Sequence, residues 1–219
     1  MIEAVLFDLD GTLIDTAPDM GGALNNLLVE ENYSPLPLDQ IRPFVSQGGL
    51  VLTRLGFADK VSEDEIEPLR LRFLDHYRAI VADNSYLFAG MATTLDEIEA
   101  RNMPWGIVTN KPEWLTFPLL EALDLRHRSG VVIGGDTLEK RKPDPLPLRI
   151  AAERIGVECT DCVYIGDDER DIIAGRAAGM KTLVAAYGYI EADMDIRNWQ
   201  ADGTIQSPAE LLTHSLLLT

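Results

Sequence analysis

Hydrophobic positions in this chain follow two rhythms, and the switch between them divides it. Five runs are short and almost continuously apolar, at residues 4–7, 105–109, 131–134, 162–166 and 182–186. Each is too short for a helix and rich in Val, Ile or aromatic residues, which predicts strands buried on both faces. Helix signals lie between them. Pro112 stands at the predicted first position of a helix reaching 123, and Asp144 is a predicted N-cap for 145–155. A third helix is predicted over 169–178, with Gly179 just past its end. Ser207-Pro208-Ala209-Glu210 reads as a capping box that starts a last helix through Leu211, Leu212 and Leu216. Strands alternating with helices in this way predict a three-layer α/β domain around a parallel sheet.

One stretch breaks the alternation. Between the first strand and the run at 105, about a hundred residues carry no convincing strand pattern. Leu69, Phe73, Leu74, Tyr77, Ile80 and Val81 instead recur at helical spacing, and Leu24, Leu27 and Leu28 form a second such face. Pro68 is expected at a helix start or kink rather than in an interior turn. The simplest organisation is a core of residues 1–15 and 84–219 with a small helical insert over 16–83. The chain then leaves near Asp15 and returns near Gly90.

Composition narrows the function classes. A net charge of −17 over 219 residues opposes binding to nucleic acid, since a polyanion would be repelled over most of the surface. No apolar run nears the ~18 residues of a membrane span, and Met1-Ile2-Glu3 leads straight into the first strand without a signal-peptide pattern. The two cysteines, Cys159 and Cys162, have no second pair and no neighbouring His, and read as packing residues at a strand entrance. A cytoplasmic protein, monomer or homodimer, with no membrane or nucleic-acid partner is expected.

The candidate chemistry gathers where the strands end. The first run closes on Asp8-Leu9-Asp10-Gly11-Thr12. Side chains two apart on a strand share a face, so Asp8 and Asp10 crowd each other unless the chain turns at Gly11 or a cation lies between them. The second strand ends in Thr109-Asn110-Lys111, the loop after the third holds Lys142-Pro143-Asp144, and the fourth ends in Gly166-Asp167-Asp168-Glu169-Arg170-Asp171. Ligands of open α/β sheets collect beyond the carboxyl ends of the strands. Hydroxyl, lysine and acids converging there suit a phosphate group with a hard divalent cation, and oxygen-only ligation favours Mg²⁺ over zinc. Taken singly, Asp168 and Glu169 read as first-turn acids of a helix.

These motifs, in this order, resemble the haloacid dehalogenase superfamily, and within it the phosphoglycolate phosphatase-like group with a helical cap. The resemblance covers almost the whole chain. It implies a Rossmann-like core with a mobile cap inserted after the first strand, and an Mg²⁺-dependent phosphatase acting on a small-molecule phosphate ester. Residue by residue, it makes Asp8 the nucleophile and Asp10 the general acid and base. It gives the metal to Asp8, the Asp10 carbonyl and Asp167, and the phosphate oxygens to Thr109, Asn110 and Lys142. Thr12 and Asp171 become supporting residues. Ser46, Gln47 and Gly48 match the substrate-facing cap loop, and Arg42 or Arg54 is placed to meet a substrate carboxylate. The family often has Pro before the glycine where the chain leaves the cap, whereas Ala89 precedes Gly90 here. The segments 187–190 and 199–202 are similar to the branch acting on N-acetylmuramic acid 6-phosphate, so that ester and phosphoglycolate both stay open. A phosphomutase of the β-phosphoglucomutase type is the alternative activity. A dehalogenase fits less well, because its chemistry has no alkoxide for Asp10 to protonate.

Overall fold

The computed structural model describes residues 1–58 and 60–218. Six parallel strands form its sheet: β1 (Ala4–Phe7), β4 (Trp105–Val108), β5 (Val131–Ile133), β6 (Cys162–Gly166), β7 (Lys181–Ala185) and β8 (Gly203–Ile205). Their order is β5-β4-β1-β6-β7-β8. The chain therefore builds outward from β1 in one direction and then, after β5, in the other. The strand-end crevice beside β1 is the place where such a sheet opens to ligand.

Alternation across the strands sends Val5 and Phe7 to one face and Ala4 and Leu6 to the other. The first pair packs with Leu95 and Ile98 of α5 (Met91–Ala100) and Leu119 and Leu120 of α6 (Glu113–Ala122). The second packs with Leu148 and Ala151 of α7 (Leu146–Ile155) and Ala174 and Ala178 of α8 (Glu169–Ala178). Three layers result, and β1, β4 and β6 are buried along their whole length because both of their faces are covered.

Two elements escape the sequence pattern. A ribbon pairs β2 (Ile14–Asp15) with β3 (Tyr86–Leu87), antiparallel, inside the stretch expected to hold no strand. Two residues per strand are too few to show alternation. β8 was likewise hidden, since Gly203 and Thr204 keep its apolar content to Ile205.

The ribbon is the neck of a helical insert: α1 (Ala17–Glu30), α2 (Leu38–Ile41), a 3-10 turn at Arg42–Gln47, α3 (Gly49–Phe57) and α4 (Glu63–Ala79). The insert has its own apolar core, in which Leu24, Leu27, Leu28, Leu52, Phe57 and Phe73 are fully buried. Ser62 and Glu65 close a capping box on α4. Pro68 lies inside α4 rather than at its start. In the second turn its missing N–H costs only the bond to the Asp64 carbonyl, and Asp64 is exposed to water. Near the C-terminus the predicted continuous helix is broken in two, a 3-10 segment at Pro208–Thr213 and a short α9 at Ser215–Leu218, with His214 extended between them. The Glu210 carboxylate accepts from Gln206 N–H, so no capping box forms with Ser207.

Candidate active site

Beyond the end of β1, Asp8 is almost buried, and both of its described donors, Leu9 N–H at 2.7 Å and Lys142 Nζ at 2.8 Å, approach Oδ1. Oδ2 is left as the oxygen offered to the cavity that Asp8 lines. Two residues on, the chain turns at Gly11 with φ +85°. A Cβ there would lie 2.2 Å from Asp167 Oδ2, so only glycine lets this turn press against the acid arriving from β6.

Lys142 is held on several sides. Its Nζ lies 2.8 Å from Asp8, 2.7 Å from Asp171 Oδ1 and 2.8 Å from the Tyr164 hydroxyl. Burial alone would lower the Lys142 pKa, but the Asp171 and Asp8 charges outweigh it and raise it, so the ammonium persists. Asp171 also receives Asp168 N–H at 3.1 Å, while the Asp168 carboxylate caps α8. The Asn110 amide group is spent on this loop, donating to the Lys142 carbonyl and accepting its N–H. What Asn110 offers a ligand is its backbone N–H, which has no acceptor among the described residues. Thr109 Oγ1 accepts from Lys111 N–H at 3.1 Å, which aims its own hydrogen elsewhere.

The Asp10 carboxylate is gripped by Thr16 Oγ1 at 2.6 Å and Lys111 Nζ at 3.0 Å. Lys111 in turn donates to Tyr77 Oη at 2.8 Å, a bond from the core to α4. Sequence reasoning left Lys111 and Tyr77 out of the site. Lys111 directly follows the Thr109-Asn110 pair, which was the available signal. Tyr77 lay hidden in an apolar stripe that reads as core. Tyr189 was also missed: its N–H donates to Asp167 at 2.9 Å, while its hydroxyl meets Asp15 and the N–H groups of Thr16 and Ala17 at the neck.

The loop expected to face substrate is engaged with the core. Ser46 Oγ donates to Asp167 Oδ2 at 2.8 Å and lies 3.2 Å from the Asp10 carbonyl, and Gln47 Nε2 reaches Glu191 at 3.1 Å. Gly48, with φ +86°, borders the cavity with nothing within 4 Å of where a Cβ would stand. The two arginines expected to meet a carboxylate are committed elsewhere, Arg42 to Asp15 at 2.9 Å and Arg54 to Glu63. Neither borders the cavity of about 730 Å³ between insert and sheet, whereas Arg70 does.

The family model for haloacid dehalogenase-like hydrolases matches residues 5–185. The chain belongs to that family. Among its relatives, a phosphoglycolate phosphatase of Xanthomonas campestris pv. campestris is 47% identical over 95% of this chain and 94% of its own length. An N-acetylmuramic acid 6-phosphate phosphatase of Pseudomonas putida is 40% identical over 96% and 94%. The crystal structure of a predicted phosphoglycolate phosphatase from Haemophilus somnus superposes with a TM-score of 0.85 at 26% identity, covering 97% of each chain.

Charge balance in this haloacid dehalogenase-like hydrolase bears on a metal. Ligand oxygens of Asp8, Asp167 and Asp171 all lie within 4.8 Å of one another, and all three residues are buried. One ammonium, Lys142, stands among them, so full ionisation would leave two negative charges uncompensated. Asp167 is 2% exposed, and its donors are Thr12 Oγ1 at 2.9 Å, Ser46 Oγ and Tyr189 N–H, none of them cationic. Burial, then the Asp8 and Asp171 charges, push the Asp167 pKa up to about 8. Burial likewise raises that of Asp8, with Lys142 opposing and Asp171 adding to the rise. A cluster of oxygen donors that carries two uncompensated charges when ionised fits a hard divalent cation.

Proposed function

We propose that this chain hydrolyses a small phosphomonoester through an aspartyl-phosphate on Asp8, with Mg²⁺ held by the Asp8 and Asp167 carboxylates and the Asp10 carbonyl. The observation that carries this reading is the asymmetry of Asp8. One oxygen is fixed by Leu9 and Lys142, and the other is offered to a cavity lined by Asp10, Thr109, Asn110 and Lys142. A nucleophile held on one oxygen and open on the other needs little reorganisation to attack.

In the first step Asp8 bonds to phosphorus as the ester P–O bond breaks, and Asp10 gives its proton to the departing alkoxide. In the second, water attacks phosphorus, its proton passes to Asp10, and Asp8 and phosphate are released. Lys142, the Asn110 N–H and the Thr109 hydroxyl bind the non-bridging oxygens. The cation, when bound, neutralises charge on nucleophile and phosphoryl group. The insert acts as a cap that shields the phosphoenzyme and selects the leaving group. Relatives named for phosphoglycolate and for N-acetylmuramic acid 6-phosphate support an organic acid or sugar phosphate as substrate.

The test is phosphate release with Mg²⁺ over a panel containing both esters, for wild type and Asp8→Asn. Turnover is expected to fall by ~10⁴-fold or more in the variant, with an unchanged circular dichroism spectrum. Equal activity in Asp8→Asn, or in excess EDTA, rejects the reading.

A further inference from the structure

The active-site cavity is far larger than the phosphoryl group it must hold, and one helix face supplies its inner wall. Arg70, Leu74 and Tyr77 of α4 all border it. Their spacing of four and three residues places them in one stripe. Tyr77 marks the reacting end, since it touches Lys111, and Lys111 touches Asp10. Arg70 sits seven residues away, about 10 Å along the helix axis. Leu74 lies between them, and Met20, Val45 and Leu115 continue the apolar lining.

Arg70 is the basic group of the insert at this cavity. The other cations there lie on the core: Lys142 and Lys111 are held by Asp8 and Asp10, Arg170 is closed on Asp168, and Arg141 is exposed on the loop just before Lys142. The described bonds of Arg70 use Nε and Nη2, both to Glu67 on the same helix. Glu67 is 59% exposed, and an ion pair of that kind is weak enough for a desolvated anion to displace.

We propose that Arg70 and the Leu74 wall read the leaving group, and that the substrate class is a monosaccharide-sized phosphate ester bearing a carboxylate at the end remote from phosphorus. This rests on the phosphatase reading and narrows it. In phosphoglycolate only about 4 Å separates phosphorus from the carboxylate carbon at ordinary bond lengths. With phosphorus on Asp8, that carboxylate stays among the core groups and leaves both Arg70 and the apolar wall unused. A sugar ring spans the wall and carries an acidic substituent to Arg70.

The experiment compares kcat/KM for phosphoglycolate, N-acetylglucosamine 6-phosphate and the same sugar phosphate bearing a lactyl ether on O3, in wild type, Arg70→Gln and Arg70→Lys. The lactyl acid is expected to lead both other esters by at least tenfold in the wild-type enzyme. Arg70→Gln is expected to lower its kcat/KM at least tenfold more than that of the sugar without the acid, and Arg70→Lys to restore part of the difference. Equal loss on both sugars, or phosphoglycolate as the best substrate of wild type and variants alike, overturns the assignment while leaving the phosphatase intact. No Asp8-dependent release from any ester rejects the phosphatase reading itself, and this assignment with it.

Discussion

The sheet edge and the inner face of the helical insert meet across one cavity, yet they are built on opposite terms. At the edge, three buried carboxylates crowd a single ammonium, an arrangement that burdens the metal-free fold. Across from it, the insert rests on an ordinary apolar core, and α4 turns one arginine, one leucine and one tyrosine toward the cavity. On the proposed reading, stability is sacrificed where phosphorus is handled and kept where the leaving group is met. Substitutions at the edge should therefore move stability and activity together or in opposition, but always both. Those on the insert should move specificity alone, except at Tyr77, where α4 touches Lys111.

The largest expected break in that contrast is Lys142→Met. It removes the ammonium shared by Asp8 and Asp171 and leaves three buried acids without a cation. Breaking a buried pair in this way typically costs about 3–5 kcal/mol. Turnover is expected to fall by ~10³-fold or more, since a phosphate-binding charge is lost as well. Thermal melts with and without Mg²⁺ check the stability half, and added Mg²⁺ should restore more of the Tm in the variant than in wild type. An unshifted Tm in metal-free buffer would show that the cluster carries no electrostatic burden.

Asp167→Asn pushes in the opposite direction. Asp167 is ordinarily ionised above 3.8 but is held protonated up to about 8 in the metal-free fold, chiefly by burial. The folded state then binds one more proton than the unfolded chain between those values, so stability falls as pH rises through that window. An asparagine removes the charge and keeps the hydrogen bonds, with its oxygen on Tyr189 N–H and its amide on Thr12 Oγ1, whose hydroxyl can turn to accept. The metal-free variant should melt several degrees above wild type at pH 8, with the gap closing toward pH 4. Its Mg²⁺ affinity, read by calorimetry, should drop by at least tenfold. A lower Tm at pH 8 contradicts the charge argument.

The same contrast explains what the sequence showed. Asp8, Asp10, Thr109 and Asp167 were legible because each stands at the end of an apolar run, Lys142 because it lies in the loop that follows one, and strand ends of a parallel sheet share an edge. The six-stranded sheet was legible for the same reason, apart from β8. The insert was not legible in this way. Helical periodicity predicts that Leu69 and Phe73 are buried, but it cannot tell Tyr77, which meets a catalytic-edge lysine, from a tyrosine that only packs. Arg42 and Arg54 looked as available as Arg70, all three are paired with an acid, and what separates them is that Arg70 alone of the three borders the cavity. Pairing between distant residues decides these cases, and local pattern does not contain it.

Tyr77→Phe is the smallest change and the sharpest test of where the two regions join. The phenol is held neutral by burial, with the Asp10 and Asp19 charges adding to the effect, so its oxygen accepts from Lys111. Phenylalanine keeps the ring stacked on Phe73 and keeps the Lys111 ammonium over its face, 4.4 Å from the centroid. Only the hydroxyl is lost, and Lys111 still holds Asp10, so Tm should move by no more than a degree or two. If the insert's share in the chemistry runs through this bond, kcat should fall about three- to tenfold with KM little changed, because the ammonium would hold the Asp10 carboxylate less rigidly. A raised KM with kcat intact would instead confine α4 to holding the leaving group, and the two regions would be separate in function as well as in construction.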